Sequence, residues 1–367
     1  MLTTSDAPSI DLDDLTSDDG ARRDRAAAAI LHGYGHFGLV TIGGHGIDPA
    51  EVDSFYADFI SVTERPEAEK LAWHRSDIWY QRGWTPPNTE GAVVAGGRKD
   101  FKECWFAAPL EADPDAAAFF PELYADNVFP DDLPSFEQRY LQLGTALHHV
   151  GAALLRGAER ALRLDDGTFD AIIAGGAHLT RALRYLSVSP EDLAANVLWG
   201  EEHTDFNLLT VLAGGRFCDP AGRPTARPDD RSGLYLRTRP TAEHPRGQMV
   251  PGRPPAGHIV SQVGQQLEIL TGGLFLATPH VIKPPHATGW TRTSLAHFVH
   301  VNPLQTLAPL RPFRTPEAIE AYRPPALAGT YAIKTLVDIK LAPAAALDRL
   351  GYRHYGRLAD IRADGEW

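Results

Sequence analysis

The chain of 367 residues has little cysteine, no long apolar run and no excess of positive charge. Its only cysteines, Cys104 and Cys218, could form one disulfide, but two thiols make neither a disulfide framework nor a zinc-finger pattern. We therefore expect a reducing, cytoplasmic setting. No apolar run reaches the length that a bilayer requires, and the acidic stretch 1–14 lacks the features of a secretory signal. We therefore do not expect a membrane to be a partner of this protein.

The charge balance argues against nucleic acid as the main partner. The formal net charge is -12, whereas phosphate binding requires a basic surface. Hydrophobic residues make up 43% of the chain and charged residues 22%, which is typical of a globular protein. These values favour a small-molecule partner and leave the oligomeric state open.

Proline and glycine are abundant, with 29 and 33 residues, and this indicates short strands joined by sharp loops. We predict strands at 181–188, 204–212, 233–237, 258–263, 267–270, 276–282 and 293–301. Helices are predicted at 21–31, from Pro49 to about Ser61, over 135–164 and in the tail beyond Pro316. The pattern predicts an α+β fold with a β-sandwich or jelly-roll core.

One triplet carries most of the chemical information. His203 and Asp205 are two residues apart, so on one strand both side chains would share a face. His280 lies in a later strand-like segment and could supply a third ligand. Two histidines and one carboxylate on one side of a metal leave the other positions open, which suits non-haem iron(II) activating O2. Chance alone predicts about two His-x-Asp/Glu triplets in this composition, and one occurs, so its setting before an apolar run matters more than the motif.

Two further residues follow in order. Arg292 and Ser294 alternate on a predicted strand and could hold a carboxylate beside the metal. The alternatives are a surface pair for His203 and Asp205, a core histidine for His280 and a surface salt bridge for Arg292. Two other histidines, His148 and His149, lie in the longest predicted helix without a matched ligand, and we interpret them as packing or surface residues.

With these motifs the chain resembles the isopenicillin N synthase-like iron(II) oxygenases, most of which use 2-oxoglutarate. The resemblance covers roughly residues 9 to 305. It includes the segments 35–38, 45–47, 82–87 and 100–103, and then the ordered triad. The segments 270–273 and 278–280 are most similar to the branch of the bacterial ethylene-forming enzyme. The Asp205–His280 spacing is longer than usual for the family, with the extra length expected within 214–257.

The resemblance implies a double-stranded β-helix, or jelly-roll, core flanked by helices. It implies that His203, Asp205 and His280 bind Fe(II), and that Arg292 and Ser294 hold the distal carboxylate of 2-oxoglutarate. Tyr185 is expected to contact the same carboxylate. At the substrate, Arg184 is expected to meet an anionic group and Phe298 to form a wall, although each has a structural alternative.

The expected regions are an N-terminal part (1–130), a helix with the jelly-roll core (131–310) and a C-terminal helical extension (311–367). The expected function is oxidation of a small molecule by O2 with 2-oxoglutarate, giving succinate and CO2. Hydroxylation, desaturation and ring formation all stay open. One alternative is an iron oxidase that needs no 2-oxoglutarate, like isopenicillin N synthase. Others are a non-catalytic jelly-roll binding protein and, with less support, a zinc hydrolase.

Overall fold

Two β-sheets face each other across a deep cavity in the computed structural model, which describes residues 7–90 and 101–350. The strands are β1 (Ser9–Asp11), β2 (Leu39–Gly43), β3 (Gly83–Thr85), β4 (Lys102–Ala107), β5 (Leu179–Tyr185), β6 (Gly200–His203), β7 (Leu209–Cys218), β8 (Pro224–Thr225), β9 (Gly233–Arg237), β10 (Met249–Pro251), β11 (Ile259–Val263), β12 (His280–Lys283), β13 (Thr291–Val299), β14 (Thr306–Leu307) and β15 (Ala326–Leu327). The α-helices are α1 (Leu12–Thr16), α2 (Gly20–His32), α3 (Pro49–Thr63), α4 (Glu67–Lys70), α5 (Pro114–Phe119), α6 (Pro134–Leu162), α7 (Thr168–Ile173), α8 (Pro190–Ala194), α9 (Gln265–Leu270), α10 (Pro316–Ala321), α11 (Ala328–Asp338) and α12 (Ala345–Arg349).

The larger sheet has the strand order β1-β2-β11-β7-β13-β5-β4-β3, with β8 paired to β7. The smaller sheet has the order β10-β9-β12-β6. Their pairings are antiparallel except for β1 with β2. Two facing antiparallel sheets with helices outside form a jelly-roll core, so the predicted α+β class is confirmed.

Strand β13 lies in the middle of the larger sheet and is covered on both faces. Arg292, Ser294 and Phe298 line the cavity, whereas His297 points to the outer face, where its ring contacts His148 of α6. This is the alternation expected of a strand. It places the Arg-x-Ser pair inside the core.

Helix α6 covers the outer face of the larger sheet. Its buried side chains recur every three or four residues and so form one apolar stripe: Phe136, Tyr140, Leu143, Leu147, Val150 and Leu154. The Tyr140 hydroxyl donates to the carbonyl of Trp105 at 2.6 Å and accepts from the N–H of Ala182 at 3.0 Å. These bonds tie the helix to β4 and β5, which present the cavity residues on their other face.

Two sequence predictions about local structure were wrong in part. The run 267–270 is not a strand but belongs to helix α9, because Leu267 and Leu270 are buried one helical turn apart. The run predicted as a strand from Thr204 forms its strand only from Leu209. The long region 214–257 contributes the end of β7, then β8, and the β9–β10 hairpin, which includes the strand predicted at 233–237.

The ends of the chain join this core differently. Strands β1 to β4 lie within the larger sheet, whereas α10 to α12 lie beyond the last core strand, and α10 and α11 help to line the cavity. The boundaries near residues 130 and 310 stay a prediction. Within the described ranges, no helix is both long and apolar enough to cross a bilayer.

Candidate active site

His203 and His280 lie side by side on neighbouring strands of the smaller sheet. His203 ends β6, His280 begins β12, and the two are direct partners in the antiparallel register, with ring centroids 4.3 Å apart. The sequence analysis placed Asp205 on the same strand as His203, but the strand ends at His203. Asp205 reaches the imidazoles from the loop that follows, because the chain turns there to enter the opposite sheet.

The three side chains converge on one point. Oδ1 of Asp205 lies 3.8 Å from Nε2 of His203 and 3.9 Å from Nε2 of His280. Two atoms that each bind one ion at about 2.1 Å are at most about 4.2 Å apart, so these distances suit a shared metal. Among the described residues, this trio is the one histidine, cysteine or carboxylate group with metal-site geometry.

Backbone carbonyls fix the two histidine tautomers. Nδ1 of His203 lies 2.7 Å from the carbonyl of Glu201, and Nδ1 of His280 lies 3.1 Å from that of Thr278. Each Nδ1 must therefore carry the hydrogen, which leaves the Nε2 lone pair for a metal. Burial, followed by the nearby His280, lowers the pKa of His203 to about 4, although half of its side-chain surface opens onto the cavity. Burial and the neighbouring His280 both favour the neutral imidazole that a metal ligand needs.

Two neutral donors orient the Asp205 carboxylate. Thr210 Oγ1 donates to Oδ2 at 2.6 Å, and Gln262 Nε2 donates to the same oxygen at 2.8 Å. Oδ1 therefore remains directed at the imidazoles. Burial opposes ionisation, but the histidines and these hydrogen bonds outweigh it and lower the pKa of Asp205. The sequence analysis missed both donors, although a buried glutamine in the apolar strand β11 was an available signal.

Arg292 and Ser294 line the same cavity from the opposite sheet. The Arg292 side chain lies over the backbone of Gly215, where an added Cβ would come within 2.6 Å of its Cζ. Arg292 is 8% exposed, and its Nη1 is buried without a hydrogen-bond partner. A buried guanidinium nitrogen without a partner is costly, and a ligand carboxylate would satisfy it.

Aromatic rings surround this guanidinium. Tyr185 is the direct β-sheet partner of Arg292, and its ring centroid lies 5.4 Å from the Arg292 Cζ. Tyr185 in turn stacks on the buried Trp199 at 5.5 Å. Phe298 lies farther along β13 and also lines the cavity. Tyr185 and Phe298, the two residues predicted from the sequence, therefore lie where a ligand could contact them.

The predicted role of Arg184 at the substrate is contradicted by its position. It points away from Tyr185 and pairs with Glu64 at 2.7 Å and Glu103 at 3.6 Å. Neighbouring residues of a strand point to opposite faces, so Arg181, four positions before Tyr185, lies on the cavity face instead. This alternation could have identified Arg181 from the sequence.

A buried ionic cluster surrounds Arg181. Its Nη2 donates to Glu90 at 2.6 Å, and Lys102 lies 3.2 Å from the other oxygen of the same carboxylate. Burial opposes ionisation of Glu90, but the two cations outweigh it and lower the pKa to about 2. All three side chains line the cavity. They provide a charged wall that the sequence analysis did not recognise.

The cavity has a volume of about 1200 Å³, more than one small cosubstrate fills. Its walls come from separate parts of the chain: Glu90 from the 82–97 loop, Arg227 and Leu234 from the 214–257 region, and Tyr331 from the C-terminal helices. The part of the loop at 91–97 lies outside the described residues. One chamber thus contains the metal-site residues, the Arg-x-Ser pair and space for a second molecule.

Comparisons with known proteins agree with this geometry. Residues 7–132 match the family described as the N-terminal part of the non-haem dioxygenase in morphine synthesis. Azadirone synthase of Melia azedarach is 27% identical over 252 residues, which cover 66% of this chain and 69% of that protein. The 2-oxoglutarate-dependent ethylene/succinate-forming enzyme of Ralstonia nicotianae is 28% identical over 52% of this chain and 55% of its own.

The fold is also that of a solved structure. A full-length Neurospora crassa protein, crystallised in complex with alpha-KG, superposes with a TM-score of 0.71 at 21% identity and covers 90% of this chain and 97% of its own. The predicted resemblance to the iron(II) and 2-oxoglutarate-dependent dioxygenases is confirmed. Its placement near the ethylene-forming branch stays a prediction.

Proposed function

We propose that His203, Asp205 and His280 hold the iron(II) of a 2-oxoglutarate-dependent oxygenase that oxidises a small molecule. The observation that carries this assignment is the convergence of their three ligand atoms at the wall of a large cavity. Fixed tautomers and an oriented carboxylate are the features that a pre-arranged metal site needs. Bound together, iron(II) and 2-oxoglutarate supply the oxidising chemistry with O2 and release succinate and CO2.

Arg292, Ser294 and Tyr185 hold the distal carboxylate of 2-oxoglutarate in this proposal. The unpartnered Nη1 of Arg292 supports the role, since a carboxylate would satisfy it with a charge-assisted hydrogen bond. The relatives favour this cosubstrate over an oxidase that needs none, and the complete metal site argues against a binding protein without catalysis.

The chain's own residues control where oxidation occurs. Thr210 and Gln262 keep Asp205 directed at the metal position, and Asp205 leaves no ligand position there for a halide. The outcome is therefore hydroxylation, desaturation or ring formation rather than halogenation. The buried walls, among them Phe298, position the substrate and limit access of water to the reacting carbon.

The substrate is a small molecule that fills the space left by 2-oxoglutarate. Arg181, Lys102 and Glu90 form one charged wall of that space, and Tyr331 and Gln265 form a hydrogen-bonded pair on another. We place the protein in the cytoplasm, because both of its cysteines are free and buried.

Anaerobic titration with iron(II) and 2-oxoglutarate tests the assignment. We expect one iron per chain and a weak visible absorption band when 2-oxoglutarate is added, followed by succinate release on exposure to O2. Asp205→Ala should abolish all three signals. The exposed helix variant His149→Gln is the matched control and should retain them. Wild-type protein that binds neither iron nor 2-oxoglutarate would refute the proposal.

A further inference from the structure

A second guanidinium lies at the Arg292 end of the cavity. Arg227 belongs to the segment between β8 and β9, lines the cavity and is half-buried. Its Nη1 donates to the carbonyl of Ser232 at 2.7 Å. Among the described residues it has no carboxylate partner, unlike Arg216, which pairs with Asp53 at 2.6 Å. Arg227 is thus a cation held by the backbone at the edge of the cavity.

Arg227 and Arg292 share one aromatic wall. The Cζ atoms of both lie 5.9 Å from the ring centroid of Phe217. Each side chain also rests against a glycine: Arg292 on Gly215, and Arg227 on Gly233, where an added Cβ would come 3.3 Å from Nη1. The backbone is therefore shaped to admit two guanidiniums to this part of the cavity.

The two positive charges repel each other unless an anion lies between them. Burial, and then the positive charges of Arg253 and Arg292, lower the pKa of Arg227. Arg253 has a carboxylate partner in Asp230 at 3.1 Å, but among the described residues neither Arg227 nor Arg292 has one. An anionic ligand would relieve this repulsion and satisfy Nη1 of Arg292.

We propose that Arg227 is a second anchor, besides Arg292, for the distal carboxylate of 2-oxoglutarate. This inference rests on the proposed function, because that function brings the carboxylate to Arg292. Two guanidiniums can donate hydrogen bonds to both oxygens of one carboxylate. Together they offer more donors than one arginine and one serine hydroxyl do. The 214–257 region would then contribute directly to cosubstrate binding.

The test compares two ligands that differ in the distal carboxylate. N-oxalylglycine has it, whereas oxalate can occupy the metal but lacks it. With iron-loaded protein under anaerobic conditions, we expect Arg227→Gln to raise the Kd of N-oxalylglycine about tenfold and to leave that of oxalate within about twofold. Calorimetry measures both without turnover. Arg231→Gln, on the exposed side of the same segment, is the matched control and should change neither.

Two outcomes would contradict the inference. An unchanged Kd for N-oxalylglycine, or an equal loss for oxalate, would show that Arg227 does not act through the distal carboxylate. Should Arg227→Gln fold poorly, Arg227→Lys keeps the charge without the planar fork and should give a smaller increase for N-oxalylglycine alone. Wild-type protein that binds no N-oxalylglycine would instead refute the proposed function itself.

Discussion

Two groups of histidines lie on different sides of the core, and only one has the form of a metal site. His203 and His280 face the cavity, whereas His148, His178 and His297 are clustered between the larger sheet and α6. Ring centroids in the two groups are similarly close, 4.3 Å for His203 with His280 and 4.3 Å for His148 with His178. Proximity of imidazoles therefore does not distinguish them.

Hydrogen bonding distinguishes the two groups. In the outer group His178 accepts the N–H of His300 at 3.1 Å and faces the carbonyl of Ile173 at 3.0 Å, so both of its nitrogens are used. His297 likewise bonds Thr180 and His148 through its two nitrogens. In the cavity each histidine uses only Nδ1, and Asp205 adds a negative charge. Free lone pairs and a carboxylate make a metal site, whereas saturated nitrogens make a structural cluster.

Removal of the carboxylate should give the largest effect. We expect Asp205→Ala to weaken iron(II) binding by about 100-fold or more, since even indirect partners of metal ligands cost about 10- to 100-fold. His178→Gln should leave iron binding unchanged. Iron(II) titration of both variants makes the comparison, and loss of iron from the His178 variant with its fold intact would contradict the distinction.

The outer group should make the apoprotein sensitive to acid. Burial is the main reason that the pKa of His148 falls to about 4 and that those of His178 and His297 lie well below the usual value. Above about pH 6.5 the rings are neutral in both states. Below it the unfolded chain takes up protons that the folded protein does not, and the free energy of unfolding falls by at most about 1.4 kcal/mol per pH unit and histidine.

Urea unfolding at pH 7.5 and 5.0 with a chelator present measures this loss. His178→Gln should show a shallower pH dependence, although it lowers stability at pH 7.5. His149→Gln, on the exposed face of α6, should keep the wild-type slope. Equal wild-type stability at the two pH values would contradict the neutral state of these rings.

A smaller effect is expected at the donors that orient Asp205. Thr210→Val removes the 2.6 Å hydrogen bond but leaves that of Gln262, so iron(II) affinity should fall about tenfold. Thr145→Val on α6 is the control, because that hydroxyl makes only a 3.5 Å contact with the carbonyl of Pro109. An unchanged affinity in the Thr210 variant would mean that Gln262 alone fixes the carboxylate.

Much of this arrangement could be predicted from local pattern. The long helix, the core strands and the order of His203, Asp205, His280 and Arg292 are readable because each depends on residue type and spacing. The error over 267–270 arose because four apolar residues fit a strand or a helix equally well. Alternation with Tyr185 was the structural alternative for Arg184, and the same alternation places Arg181, which was not predicted, on the cavity face.

The sequence by itself determined the fold class and the resemblance to the dioxygenases, and it predicted the types of ligand, because these follow from side-chain chemistry, periodicity and ordered motifs. Only the tertiary structure decided which nitrogens stay free, that Thr210 and Gln262 orient Asp205, and that Arg227 shares a wall with Arg292. Those contacts join residues from separate strands and loops. No local pattern encodes them, because the two sheets must first pack against each other to bring them together.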